Sequence, residues 1–133
     1  MKKAYIAAPI FSPAEQDFNM KIDSVCQTHG FKTFLVQRDE GIVKEQSLLE
    51  TFKRDLKNLK MADIIVANLD GIDVDSGTSW EIGYAYANNI PVIGIRNDVR
   101  MYRSFLPVNL MIYQSCKEFT TLDNLSETLK KYL

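Results

Sequence analysis

The densest group of side chains that could do chemistry is one acidic segment in the middle of the chain. It contains Asp70, Asp73 and Asp75 and ends at Glu81. Carboxylates on a ligand-binding loop can attack an electrophilic carbon or move protons as general acids and bases. Thr78 and Glu81 also have the spacing of a capping box, in which the glutamate only stabilises the start of its own helix. From the spacing alone, capping is the commoner role.

Other kinds of catalytic centre lack the residues they need. The single histidine, His29, precedes Gly30 at the end of a predicted helix, a position typical of a helix C-terminus. Cys26 and Cys116 form no C-x-x-C motif and have no histidine cluster beside them. The acidic segment does not follow the ligand register of a calcium loop. We therefore expect no metal, no disulfide and no cofactor, so that carboxylates must carry any chemistry.

Two further polar residues are predicted at positions that face the protein interior. Phe52, Asp55 and Leu59 are spaced by three and four residues, so Asp55 falls on the apolar stripe of a predicted helix. A carboxylate there needs partners, or its pKa rises, unless the side chain tips out to water at the border. Tyr5 lies in the middle of an apolar strand and needs a partner for its hydroxyl, although most such tyrosines are structural.

The pattern of the whole chain predicts one domain, residues 1–133, with alternating strands and helices. Such alternation indicates a five-stranded parallel sheet, doubly wound in a flavodoxin-like order, as a three-layer α/β sandwich. The predicted strands are 4–9, 31–36, 62–69, 91–95 and a fifth near 109–113. The predicted helices begin at the Ser12 cap and end at Gly30, run over about 45–60 and 79–88, and begin again at Thr120 or Thr121.

Ligands of such sheets bind beyond the carboxyl ends of the strands. This rule selects the loops 8–12, 37–44, 69–78 and 96–108. The first of them contains no glycine, whereas a dinucleotide fingerprint or a P-loop needs glycines there to bring backbone N–H groups to phosphate. Both kinds of phosphate site are excluded.

Charge and hydropathy exclude further classes of partner. The 16 basic and 17 acidic residues give a net charge of −1, with no basic patch for nucleic acid or an acidic membrane. The longest apolar stretches, such as 64–67, are far shorter than the roughly 20 residues that span a bilayer. The first residues show no signal peptide. We expect a cytoplasmic protein.

Four motifs together resemble the nucleoside 2-deoxyribosyltransferase family, over nearly the whole chain. They are Ala4-Tyr5-Ile6-Ala7-Ala8-Pro9-Ile10-Phe11, Asp55-Leu56 ahead of Ala62-Asp63-Ile64, Asp75-x-Gly77-Thr78-x-x-Glu81-x-Gly83-Tyr84-Ala85, and Pro107-Val108-Asn109-Leu110-Met111. Ala8-Pro9 departs from the glycine-bearing turn of many relatives. The resemblance favours a catalytic role for Glu81 over a capping role.

The resemblance implies a double displacement on a 2'-deoxynucleoside and a free nucleobase. Glu81 would attack the anomeric carbon, and a second base would attack the glycosyl-enzyme from the same side, as in retaining glycosidases. Tyr5 would hydrogen-bond Glu81. Asp75 and Asp55 would contact the base, and one of them, protonated, could donate to its departing nitrogen.

The resemblance also implies substrate contacts and a homo-oligomer, either a dimer or a trimer of dimers. Asn109 and Met111 match positions that family members insert into a neighbouring subunit's site. Ile10 and Phe11 lie where the base would be sandwiched, although core packing explains them equally well. Gln37 is a weaker candidate for the base edge, with a solvated loop residue as the alternative.

Two other functions remain open at this point. A nucleoside 5'-monophosphate N-glycosidase of the same fold would use the same glutamate and a phosphate site, for which Arg38, Arg96, Arg100 and Arg103 could supply charge. A receiver-type binding module is suggested by Asp70 at a strand end, but the first strand lacks the acidic pair that would bind magnesium.

Overall fold

A single parallel sheet organises the part of the chain that the computed structural model describes, residues 1–39 and 44–133. Its strand order is β2-β1-β3-β4-β5, and every neighbouring pair is parallel. The strands are β1 (Lys3–Ala7), β2 (Lys32–Leu35), β3 (Ile64–Asn68), β4 (Val92–Ile95) and β5 (Glu118–Thr120). The predicted doubly wound α/β fold with a flavodoxin-like order is confirmed.

Helices cover both faces of this sheet. They are α1 (Pro13–Thr28), α2 (Val36–Asp39), α3 (Leu48–Lys60), α4 (Ser76–Ala87), α5 (Leu110–Ser115) and α6 (Leu125–Leu129), with 3-10 turns at Glu45–Ser47 and Lys130–Tyr132. Helix α1 begins as predicted, with the Ser12 side chain accepting from the Glu15 amide and Pro13 at the first position. Of the predicted loop 37–44, residues 37–39 form the end of α2, and residues 40–43 lie outside the described residues.

The predicted fifth strand near 109–113 is wrong, because this segment begins helix α5. The Asn109 side chain accepts a hydrogen bond from the Met111 amide at 2.8 Å and so caps the helix. Only Ile112 of the helix is buried. The true strand β5 is a three-residue edge strand whose side chains are only partly buried, so its sequence carries almost no apolar signal.

Two helix starts also differ from the sequence prediction. The last helix begins at Leu125, because Thr121 accepts from the Asn124 amide in a turn that precedes the helix. Helix α4 begins at Ser76, earlier than the predicted residue 79, with Asp75 as its N-cap. This second shift places Glu81 well inside the helix.

Each face of the sheet carries its own apolar cluster. Alternate residues of a strand point to opposite faces, so Ile6 packs with α1 and α6 while Tyr5 packs on the face covered by α3, α4 and α5. Tyr5 is 1% exposed. In the described ranges no helix combines the length and apolarity that crossing a bilayer requires.

Candidate active site

A cleft of about 540 Å³ opens at the carboxyl edge of the sheet, where the fold predicts a ligand site. Its walls come from the loop after β1, from α3 and from the first half of α4. Lining side chains include the acidic residues Asp55, Asp75 and Glu81 and the apolar residues Ile10, Phe11, Phe52, Leu56 and Trp80. A cleft of this volume, largely apolar with a few convergent polar groups, fits a small organic ligand.

The start of α4 excludes a capping role for Glu81. The Asp75 carboxylate accepts hydrogen bonds at 3.0 Å from both the backbone N–H and the hydroxyl of Thr78. Asp75 is therefore the N-cap, and Thr78, in the third helical position, is not. Glu81 lies too far along the helix to close a capping box, so its carboxylate is free for a contact elsewhere.

That contact is with the first strand. The Tyr5 hydroxyl donates a hydrogen bond to Oε2 of Glu81 and so joins β1 to α4. Tyr5 is held in turn by Phe34, whose ring stacks on it at 5.2 Å between centroids. The carboxylate is thus held by a side chain that is itself buried and stacked on a ring of the neighbouring strand.

The electrostatics of this pocket favour the neutral form of Glu81. Burial raises the pKa of Glu81 from its ordinary value of 4.5 to about 7. The negative charges of Asp55 and Asp75 add to the increase, whereas the hydrogen bond from Tyr5 lowers the pKa. A carboxyl group that titrates near neutrality in a cleft is typical of a catalytic position.

The acidic segment of the sequence separates into different environments. Asp75 and Glu81 enter the cleft, where Asp55 joins them from α3. Asp70 instead accepts from the backbone N–H groups of Asn97 and Asp98, at 2.7 and 2.9 Å. It therefore links the loops after β3 and β4.

Three of the predicted substrate-binding residues lie outside this cleft. Gln37 accepts from the Asn19 side chain at 3.0 Å and donates to the Gln16 carbonyl at 3.0 Å, so its amide group is used inside the protein. Asn109 and Met111 line a second hollow, of about 430 Å³, on the other side of α4. Within one chain they do not meet Glu81, and their roles stay predictions.

Comparison with known proteins identifies the family. The family model described as nucleoside 2-deoxyribosyltransferase matches residues 4–125. The chain belongs to this family. The resemblance inferred from the four motifs is thereby confirmed, although a search of the sequence against curated proteins gives no match.

Solved structures support the same assignment. The 2-deoxyribosyltransferase of Bacillus psychrosaccharolyticus is 27% identical, with a TM-score of 0.76 over 93% of this chain and 90% of that one. A conserved protein from Enterococcus faecalis V583 is 26% identical, with a TM-score of 0.86 over 100% and 99% of the two chains. The 2-desoxiribosyltransferase of Leishmania mexicana, at 19% identity, shares the fold, with a TM-score of 0.78 over 99% of each chain.

Sequence reasoning missed two residues that line the cleft of this family member. The helical spacing of Phe52 predicts a core position, and the spacing of Thr78 and Glu81 does not single out Trp80 beside them. Both side chains are about half exposed, Phe52 at 49% and Trp80 at 52%. Trp80 follows the loop 69–78, which the fold rule selects as a ligand-binding loop. A large exposed aromatic residue at such a place is costly unless something covers it, and this position is the signal that could identify Trp80 as a ligand contact.

Proposed function

We propose that this chain transfers 2-deoxyribose between nucleobases by cleaving and re-forming the N-glycosidic bond of a 2'-deoxynucleoside. The observation that carries the proposal is the Glu81 carboxylate, hydrogen-bonded to Tyr5, on the wall of a ligand-sized cleft. Family membership supplies the substrate class. The cleft supplies a carboxylate that can act as a nucleophile and two more that can exchange protons with the base.

The first half of the reaction forms a glycosyl-enzyme. Glu81 attacks the anomeric carbon in its ionised form, and the bond from that carbon to the base nitrogen breaks. The electron pair of this bond goes to the base, which takes a proton from Asp75 or Asp55. Tyr5 keeps the attacking oxygen in line, because its hydroxyl fixes the other oxygen of the same carboxylate.

The second half reverses these steps with a different base. A nitrogen of the incoming base attacks the anomeric carbon, the ester bond to Glu81 breaks, and its electron pair returns to the carboxylate. The proton of the attacking nitrogen goes to the aspartate that had donated one. Two inversions at the same carbon give net retention.

The remaining parts of the proposal concern binding and assembly. Ile10 and Phe11 line the cleft and are proposed to hold the base. Asn109 and Met111 are proposed to reach the site of a neighbouring copy in a dimer or trimer of dimers. Met111 is 74% exposed and so is available for such a contact. The reaction needs no cofactor, and we place it in the cytoplasm.

The direct test is base exchange. Purified protein incubated with deoxyinosine and free adenine is expected to yield deoxyadenosine, measured by chromatography. A parallel incubation uses deoxyinosine 5'-monophosphate without an acceptor base. Hydrolysis of the monophosphate in preference to base exchange would replace the proposal by the N-glycosidase.

The charges around the cleft argue for the nucleoside over its monophosphate. Among the described residues that line the cleft, none is a lysine or an arginine. Arg38 pairs with Asp23 and Asp39, at 2.9 and 2.8 Å. Arg96 donates to backbone carbonyls, including those of Leu69 and Gly71. Two of the arginines considered for a phosphate site are thus engaged in other contacts.

The pH dependence of the reaction follows from Glu81. Attack requires the ionised carboxylate, so kcat/KM is expected to rise with pH up to about 7, the pKa of Glu81. Below that pH it should fall about tenfold for each pH unit. In the wild type the hydrogen bond from Tyr5 lowers the pKa of Glu81. Tyr5→Phe removes this bond, so the midpoint of the pH profile should move to higher pH.

Initial rates measured at low substrate concentration over about pH 5 to about pH 8.5 test this expectation. Tyr86→Phe is the matched control, since Tyr86 is an exposed tyrosine of α4 outside the cleft. A midpoint that stays unchanged in Tyr5→Phe would contradict the assigned role of Tyr5.

A further inference from the structure

One wall of the cleft is a small stack of aromatic rings. Trp80 and Tyr84 lie parallel, with ring centroids 5.8 Å apart and planes 12° apart. Phe52, from α3, approaches Trp80 edge-on at 5.9 Å and 68°. Trp80 and Phe52 line the cleft, and about half of each side chain is exposed. The indole is therefore held in place by two neighbours while much of its surface remains uncovered.

This arrangement is costly for a single chain unless a ligand covers it. Each exposed aromatic ring leaves apolar surface in water that burial would stabilise. The two rings lie together in a concave site. Grouped apolar side chains in a concave site are typical of ligand contacts, whereas single exposed apolar residues occur anywhere on a protein surface. Since Tyr84 and Phe52 fix the indole beforehand, little side-chain entropy is lost when a flat ligand stacks on it.

The position of Trp80 relative to Glu81 indicates which part of the substrate it meets. Consecutive helical residues point about 100° apart, so Glu81 turns toward β1 and Trp80 toward α3 while both border the same cleft. The base of a nucleoside is bonded to the carbon that Glu81 attacks. It must therefore occupy the same cleft, beside the sugar and within reach of its aromatic wall.

We propose that Trp80, supported by Phe52, is the stacking surface for the nucleobase and makes this enzyme favour purines over pyrimidines as acceptors. This inference rests on the proposed function, since it concerns the base of that reaction. A purine has two fused rings and covers more of an indole face than a pyrimidine does. Its affinity therefore depends more strongly on stacking.

The first test uses Trp80 as its own probe, because it is the one tryptophan in the sequence. Free adenine or free thymine is titrated into the wild-type protein while tryptophan emission is recorded. Neither base carries a sugar, so no reaction occurs. Adenine is expected to quench the emission until the quenching saturates. Thymine should need a higher concentration than adenine for half-maximal quenching. Emission unchanged at adenine concentrations that saturate base exchange would overturn the proposal.

The second test separates base recognition from a structural role. In Trp80→Leu, KM for adenine as acceptor is expected to rise about tenfold, with a smaller rise for thymine and little change in kcat. Trp80→Phe should recover most of the adenine affinity. Phe52→Leu, which retains the tryptophan, should weaken quenching by adenine. Tyr86→Leu is the control, since it removes an exposed aromatic ring of α4 that lies outside the cleft.

The outcomes distinguish this inference from the function on which it rests. Base exchange without quenching, or equal rises in KM for both bases, overturns the stacking role and leaves the transfer reaction standing. Saturable quenching by adenine without any base exchange supports the stacking role and overturns the transfer reaction. Emission that changes on dilution of the protein but not with adenine would mean that a second copy covers Trp80, which also overturns the inference.

Discussion

Replacing Glu81 by glutamine lowers the rate of base exchange by at least about 1000-fold, because the amide cannot attack the anomeric carbon to form the glycosyl-enzyme. Glutamine keeps the size of the side chain and can still accept the hydrogen bond from Tyr5. The loss is therefore one of chemistry and leaves the cleft intact. Formation of deoxyadenosine from deoxyinosine and adenine measures it, and Glu127→Gln, an exposed glutamate outside the cleft, serves as the matched control.

The same substitution lowers activity but is expected to raise the stability of the protein at high pH. The pKa of Glu81 in the folded chain lies near 7, above its ordinary 4.5. Folding therefore favours the protonated carboxyl group. This contribution to the free energy of unfolding is complete below pH 4.5 and is lost as the pH rises to about 7. Glutamine carries no charge at any pH. We therefore compare the free energy of unfolding of Glu81→Gln with that of the wild type at each pH. Between pH 4.5 and values above pH 7, this difference should shift by up to about 3 kcal/mol in favour of the variant.

Denaturant unfolding of both proteins at several pH values measures this gain. A variant that loses activity but gains stability at high pH indicates that the Glu81 carboxylate serves catalysis at a cost in stability. A variant that retains more than about a hundredth of the wild-type rate would remove Glu81 as the nucleophile.

The second large effect is expected at Asp75, which has both a structural and a proposed chemical role. Asp75→Asn should lower kcat/KM by about 100-fold, because an amide cannot exchange a proton with the departing base. Asparagine caps helices as well as aspartate does, so the stability should change little.

Asp75→Ala separates the two roles. It should show the same kinetic loss and an additional loss of about 1 kcal/mol in the free energy of unfolding, because Thr78 then has no cap acceptor. Asp63→Asn is the matched control, since Asp63 also accepts a backbone N–H, from Lys3, but lies outside the cleft. If Asp75→Asn keeps wild-type kinetics, Asp75 is a cap only, and Asp55 becomes the remaining candidate for the proton.

The candidate site could be assembled from the sequence because its residues stand at fixed places relative to the strands. Asp75 and Glu81 follow β3, Ile10 and Phe11 follow β1, and in a parallel sheet both segments leave at the same edge. Asp55 could be placed by helical spacing, since the structure brings its side chain to the same cleft.

The errors arose where local signals are short or shared by two structures. An apolar run near residue 110 is compatible with a buried strand or with one face of a short helix, and periodicity cannot separate them over so few residues. In the structure Asn109 caps a helix there, and β5 follows with three residues at the sheet edge. Gln37 follows the correct strand, but its amide is occupied by Asn19 and Gln16.

By itself, the sequence determined the fold class and the family, because strand and helix periodicity and the four motifs are properties of neighbouring residues along the chain. The resemblance predicted a hydrogen bond between Tyr5 and Glu81, and only the tertiary structure showed that contact in place of a capping contact. A capping contact would have been made within one helix turn, whereas the contact with Tyr5 joins residues 76 positions apart. Spacing in sequence carries no information about such a contact. The burial that raises the pKa of Glu81 likewise exists only once β1, α3 and α4 have packed together.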